Sequence, residues 1–172
     1  IVLSYLLLRS VMASLLSLII IFLSILPSMG SAGWLEYQVL PPLIIAPIVI
    51  LTIALAHAIH ILSIALSNMN EGMQKDVAII ESMKINFMPV FLTSFTTGVG
   101  VAGVNFGNIP AFSEMANAVV FGSLYSFLLS ITVLPVLFMI MPIKSSKKNN
   151  IILPALHALG NLIFKFKYYI IK

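Results

Sequence analysis

From Leu43 to Leu66 the chain runs without a single Asp, Glu, Lys or Arg, and equally uncharged runs cover Val11 to Met29 and Phe87 to Phe106. A further run opens on Glu114 and ends at Met141. At about 1.5 Å per residue, each can cross a hydrocarbon layer about 30 Å thick. A backbone in lipid must satisfy its own hydrogen bonds, so such runs fold as helices. A chain that is 60% hydrophobic and 8% charged cannot hide its apolar surface in a soluble core of its own. The expectation is an all-α, polytopic membrane protein with spans at about 1–8, 11–29, 43–66, 87–106 and 114–141.

The punctuation between these runs agrees. Arg9 ends the first, and Pro27 interrupts the second near its far end. Gly30 to Pro42 holds Trp34, Glu36 and Tyr37 between turn-forming residues, an interfacial loop with aromatic anchors. Glu71, Lys75, Asp76, Glu81 and Lys84 accompany Met73, Val77, Ile80, Met83 and Phe87 at helical spacing. That pattern predicts an amphipathic cytoplasmic helix over about 73–86, lying on the membrane surface, with Pro89 in the first turn of the next span. Residues 143–172 read as a cytoplasmic linker, a surface helix and the start of a next span. Ile1 lies within an apolar run and Lys172 follows the entry to another, so the chain reads as a fragment.

Charge sets the orientation. Arg9, Lys75, Lys84, Lys144, Lys147 and Lys148 fall on one side of this layout, and Glu36 and Glu114 on the other. The positive-inside rule makes the lysine side cytoplasmic. The net charge of +4 is thereby a matter of topology, and a nucleic-acid partner is not expected. No cysteine is present, which removes disulfides and thiolate chemistry. No phosphate-binding glycine loop, nucleophile elbow or paired carboxylates appear, so neither an enzyme nor a cofactor is expected.

His57 and His60 stand out because a charged group at membrane depth costs about 3 kcal/mol. Imidazole binds and releases protons near neutrality, which makes the pair candidates for a proton relay. The plainer alternative is two neutral rings bonded to hydroxyls of neighbouring helices. Helical spacing groups Thr52, Ala56, His60, Ser63 and Ser67 in one stripe beside His57, expected to face the bundle interior or a watery cleft. A zinc site would need further ligands, and none lies in these spans, so no metal is expected. On the fourth run Thr93, Ser94, Thr96 and Thr97 form a polar face for packing or relay, and Gly98, Gly100 and Gly103 permit close helix packing. Asn117 joins the polar set at the start of the fifth run. Ser123, Ser126, Ser130 and Thr132 extend it or simply bond their own backbone.

The stretches PPLIIAPIVILTIALAHAIHIL, PVFLTSFTTGVGVAGVNFGNIPAF and EMANAVVFGSLYSFLLSITVLPVL together resemble one half of the resistance-nodulation-division (RND) superfamily. The nearest branch is that of the MMPL-like hydrophobe exporters, whose helices are akin to sterol-sensing domains. The resemblance covers about Ser4 to Pro142. It implies two parallel repeats, with the present helices as the second to sixth of a half, placed in the N-terminal repeat. Family members couple export to proton entry through the fourth helix, often with a motif like A-D-S-I-H. Laid on Ala56 to His60, the final histidine matches, while His57 stands where that motif has Asp. Either His57 carries the proton, or coupling lies in the other repeat, or transport is not proton-driven.

The resemblance thus implies a proton-driven exporter of lipid or other hydrophobic molecules in a bacterial inner membrane. Its partners would be membrane lipids, a hydrophobic substrate and the remaining half of the transporter, with an oligomer as an open alternative. The competing reading is a lipid- or sterol-sensing or scaffolding module without turnover.

Overall fold

The structure, a computed structural model, describes residues 2–107 and 109–143. The linker, surface helix and next span expected beyond Ile143 lie outside the described residues, as do Lys144, Lys147 and Lys148. The elements are α1 (Val2–Leu8), α2 (Val11–Trp34), α3 (Pro41–Asn70), α4 (Lys75–Ala102), a 3-10 turn (Gly103–Phe106) and α5 (Pro110–Ile140). Among the described residues four helices are long and apolar enough to cross a membrane: α2, α3, α4 with its 3-10 turn, and α5. The protein is therefore an all-α, multi-pass membrane protein.

Each helix begins and ends for a local reason. Ser10 caps α2 by accepting from the Ala13 amide at 3.4 Å. Pro41 and Pro110 open α3 and α5, where a missing N–H goes unused. α3 stops at a left-handed Gly72 (φ 96°), beyond which the Met73 amide reaches back to the Asn68 carbonyl at 3.1 Å. α2 stops the same way, but Glu36 occupies the left-handed position (φ 58°) and the Tyr37 amide bonds the Ala32 carbonyl at 3.0 Å. Both are Schellman closures. α2 thus runs past Pro27 to Trp34, into the expected loop.

The region before Phe87 departs from expectation. No separate surface helix forms, because α4 is continuous from Lys75 to Ala102 with Pro89 inside it. Proline there forfeits the bond to the Ile85 carbonyl, and packing offsets the loss. Ala78, Ile79, Ser82 and Asn86 are buried, whereas Met73, Val77, Ile80 and Phe87 of the expected membrane-seeking face point outward and Met83, half-buried, packs against the core. The Ser82 hydroxyl donates to the Ile61 carbonyl at 2.6 Å and fixes this end of α4 on α3.

α5 packs against α2, α3 and α4 and forms the centre of the bundle. Small polar side chains tie the helices where lipid offers no hydrophobic driving force. Ser28 Oγ donates to the Ala118 carbonyl at 2.7 Å, and Ser123 Oγ to the Ser94 carbonyl at 3.0 Å. One apolar cluster gathers Leu16, Ile20, Ile61, Leu62, Val90, Leu134 and Phe138; another gathers Ala32, Leu43, Ala46, Ala118 and Val119. The first lies toward the end that carries Arg9 and Lys75. The second lies toward Glu36 and Glu114, where Glu114 accepts from the Gln38 amide at 3.0 Å.

At the lysine end Lys75 closes α5. Its ammonium donates to the Met139 carbonyl at 3.0 Å and to the Met141 carbonyl, and lies 5.6 Å from the centre of the Phe138 ring. A cation on the last carbonyls of a helix contributes about 0.3–1 kcal/mol. Lys75→Ala is expected to speed hydrogen exchange in the last turn of α5 and leave the His57 region unchanged; unchanged exchange at Met139 to Met141 would refute the clasp.

Candidate functional site

Between the two apolar clusters lies a polar knot centred on His57. The buried face of α3 carries Ala54, His57, Ala58, Ile61, Leu62 and Ala65, so the imidazole enters the interior surrounded by small and aliphatic neighbours. It is 1% exposed. Its Nδ1 lies 2.9 Å from Ser126 Oγ on α5. Its Nε2 lies 3.2 Å from Thr93 Oγ1 and 3.3 Å from Ser94 Oγ on α4. One side chain on α3 thereby joins α4 and α5.

The hydroxyl geometry favours one tautomer. Thr93 Oγ1 lies 3.0 Å from each of the Pro89 and Val90 carbonyls of its own helix, which accept its only hydrogen. With its hydrogen so engaged it accepts toward His57, an arrangement that fits the tautomer with the proton on Nε2 and Nδ1 accepting from Ser126; the other tautomer needs the Thr93 hydrogen to turn to Nε2. A second proton on Nδ1 would require the Ser126 hydroxyl to turn its hydrogen elsewhere. No carboxylate is among the ring's hydrogen-bond partners, since the acidic residues Glu36, Glu71, Asp76, Glu81 and Glu114 all lie outside the uncharged runs. Protonation of His57 is thus coupled to a hydroxyl rotation on α5, without a local counter-ion.

The other expected residues divide. Ser94 and Thr93 meet His57 as partners. Thr96 is exposed and donates to the Leu92 carbonyl at 2.7 Å, and Thr97 is half-buried. Asn117 accepts from Asn105 Nδ2 at 2.9 Å at the far end of α5, about 13 Å along the helix from Ser126. His60 is exposed, and so are Thr52, Ala56 and Ser63. The stripe expected to face the bundle interior or a watery cleft faces away from the described bundle, because the period of α3 turns His57, and not His60, inward.

Gly98, Gly100 and Gly103 also differ from expectation: a Cβ at any of them would meet nothing within 4 Å. The close approach is instead at Gly122 on α5, where an added Cβ would run into the side chain of buried Ile50 on α3. Gly122 and Ser126 are one turn apart on the same face, so this contact brings the Ser126 hydroxyl to His57. The signal in the sequence was the series Gly122, Ser126, Ser130 at a spacing of four. Ser130 is buried with no hydrogen-bond partner for its hydroxyl.

Neither the search of curated proteins nor that of solved structures finds a match. The model of the MMPL family matches residues 1–150, most of the chain and all of the helices described above. With long apolar helices, a polar knot between them and this match, the chain belongs to the MMPL family of RND-type membrane transporters of hydrophobic molecules.

Proposed function

We propose that this chain supplies a proton-handling half-bundle of an exporter that moves lipids or similar hydrophobic molecules out of a bacterial inner membrane. His57 is the proton carrier, and the end bearing Arg9, Lys75 and Lys84 faces the cytoplasm. The observation that carries the reading is the placement of His57: a titratable ring at membrane depth, held by hydroxyls from two different helices. Adding a proton forces Ser126 to turn, so occupancy of the ring is transmitted to α5, and α5 touches α2, α3 and α4. His60, exposed one turn further along α3, is the port through which the proton leaves the ring's surroundings. The remaining half of the transporter is the partner that covers the outward stripe.

One observation favours a second reading. Both ring nitrogens of His57 are satisfied by neutral hydroxyls with no carboxylate, as in a structural histidine of a lipid-sensing module. Efflux separates the two. The full-length protein in vesicles loaded with a fluorescent phospholipid should export it when a pH gradient is imposed and stop when an ionophore collapses the gradient. Lipid binding without gradient-dependent efflux would replace the exporter by the sensor.

A further inference from the structure

On the outer side of the His57 knot, α4 and α5 enclose a groove of about 280 Å³. α4 contributes Phe91, Phe95 and Val99, and α5 contributes Leu124 and Phe127, with Gly98 leaving a gap in one wall. The Phe91 and Phe95 rings stack with centroids 5.8 Å apart, and Phe127 meets Phe91 edge-on at 5.7 Å, closing one end. Ser94 and Ser123 form the floor, but their polar groups are engaged: Ser94 Oγ with His57 Nε2, and Ser123 Oγ with the Ser94 carbonyl. The surface the groove presents to a ligand is therefore almost entirely apolar.

That chemistry selects the occupant. No Asp, Glu, Lys or Arg occurs between Lys84 and Glu114, so a charged headgroup has no ionic partner along this length of α4. The volume lies just below that of ordinary small-molecule pockets, roughly 300–1,000 Å³, which suits one chain and excludes a whole lipid. Both walls belong to membrane-spanning helices, with Leu92 and Leu128 exposed beside the opening, so hydrocarbon chains are the medium in which the groove lies. We infer that the α4–α5 groove is a binding site for a single acyl chain of a bilayer phospholipid, seated against the back of Ser94 and so against the hydroxyl that bonds His57. What the chain is bound for rests on the exporter reading; where it lies rests on the groove alone.

The test uses the full-length protein in phosphatidylethanolamine and phosphatidylglycerol vesicles containing a phospholipid with a diazirine in one acyl chain. After illumination, label should concentrate on peptides around Phe91 to Val99 and Val120 to Phe127. Gly98→Phe fills the groove from a position whose added side chain enters open space. Leu124→Trp fills it from the opposite wall. Both should abolish that label, while Ile140→Trp, at the exposed end of α5, should keep it. Even labelling of all lipid-facing helix surfaces, or label unchanged by both filling variants, would overturn the site. Efflux measured in the same vesicles keeps the two ideas apart: focused label without gradient-driven efflux supports the groove and removes the exporter. Efflux with diffuse label removes the groove alone.

Discussion

Replacing Gly122 by leucine should disrupt the contact between α3 and α5, at a cost above the roughly 1–3 kcal/mol of an ordinary overpacked position. Even a single added carbon would strike Ile50, and Ile50 is fully buried with nowhere to turn. A leucine adds more volume still, so the helices must separate. Ser126, one turn along, would leave His57 with them. Gly98→Ala is the matched control: its added carbon meets nothing within 4 Å, and the helix gains about 1 kcal/mol of propensity. Unfolding of both variants in detergent, followed by helix content against added SDS, reads the difference. Wild-type stability in Gly122→Leu would mean that α3 and α5 do not approach here. Partial rescue by Ile50→Ala in the same chain would locate the clash.

His57→Ala should separate stability from function. Interhelical side-chain hydrogen bonds within membranes average about 0.6 kcal/mol; Thr93 already donates to carbonyls of its own helix, and the Ser126 hydroxyl can turn to one of its own. The variant should therefore insert and fold with a loss of about 1–2 kcal/mol, part of it from the small cavity left by the ring. Gradient-driven efflux should nevertheless vanish, because the other side chains of the knot are hydroxyls and cannot carry a proton. His60→Ala, on an exposed surface, should change stability by less than about 0.5 kcal/mol and slow efflux without abolishing it. Full efflux in His57→Ala would remove the ring from the coupling step.

The existence and rough position of the apolar helices were legible because they depend on where charge is absent, a property each residue carries by itself. The starts at Pro41 and Pro110 were close to legible for a similar reason, since proline favours a first turn wherever it stands. Pro89 shows the limit. Its local rule says start or break, but burial of Ala78, Ile79, Ser82 and Asn86 against the bundle carries α4 straight through. Which face of α3 meets the described bundle was not legible for a physical reason: in lipid, polarity alone does not say inward. His57 lies inside because Ser126, Thr93 and Ser94 meet it there, and these partners are distant in sequence. The packing glycine was hidden in the same way. Gly98, Gly100 and Gly103 form the denser cluster, yet only a facing side chain such as Ile50 distinguishes a close approach from an open groove.

The ring itself offers the most direct measurement. In full-length protein reconstituted in bilayers with ¹⁵N-labelled histidine, the His57 resonances, assigned by their loss in His57→Ala, report which nitrogen is protonated. Under conditions of no transport they should show a neutral ring with the proton on Nε2 and with Nδ1 accepting from Ser126. On acidification across the range in which the pH gradient drives efflux, Nδ1 should gain a proton, and Ser126→Ala should alter that transition. A ring that keeps a single neutral form throughout that range while transport proceeds would contradict proton carriage by His57.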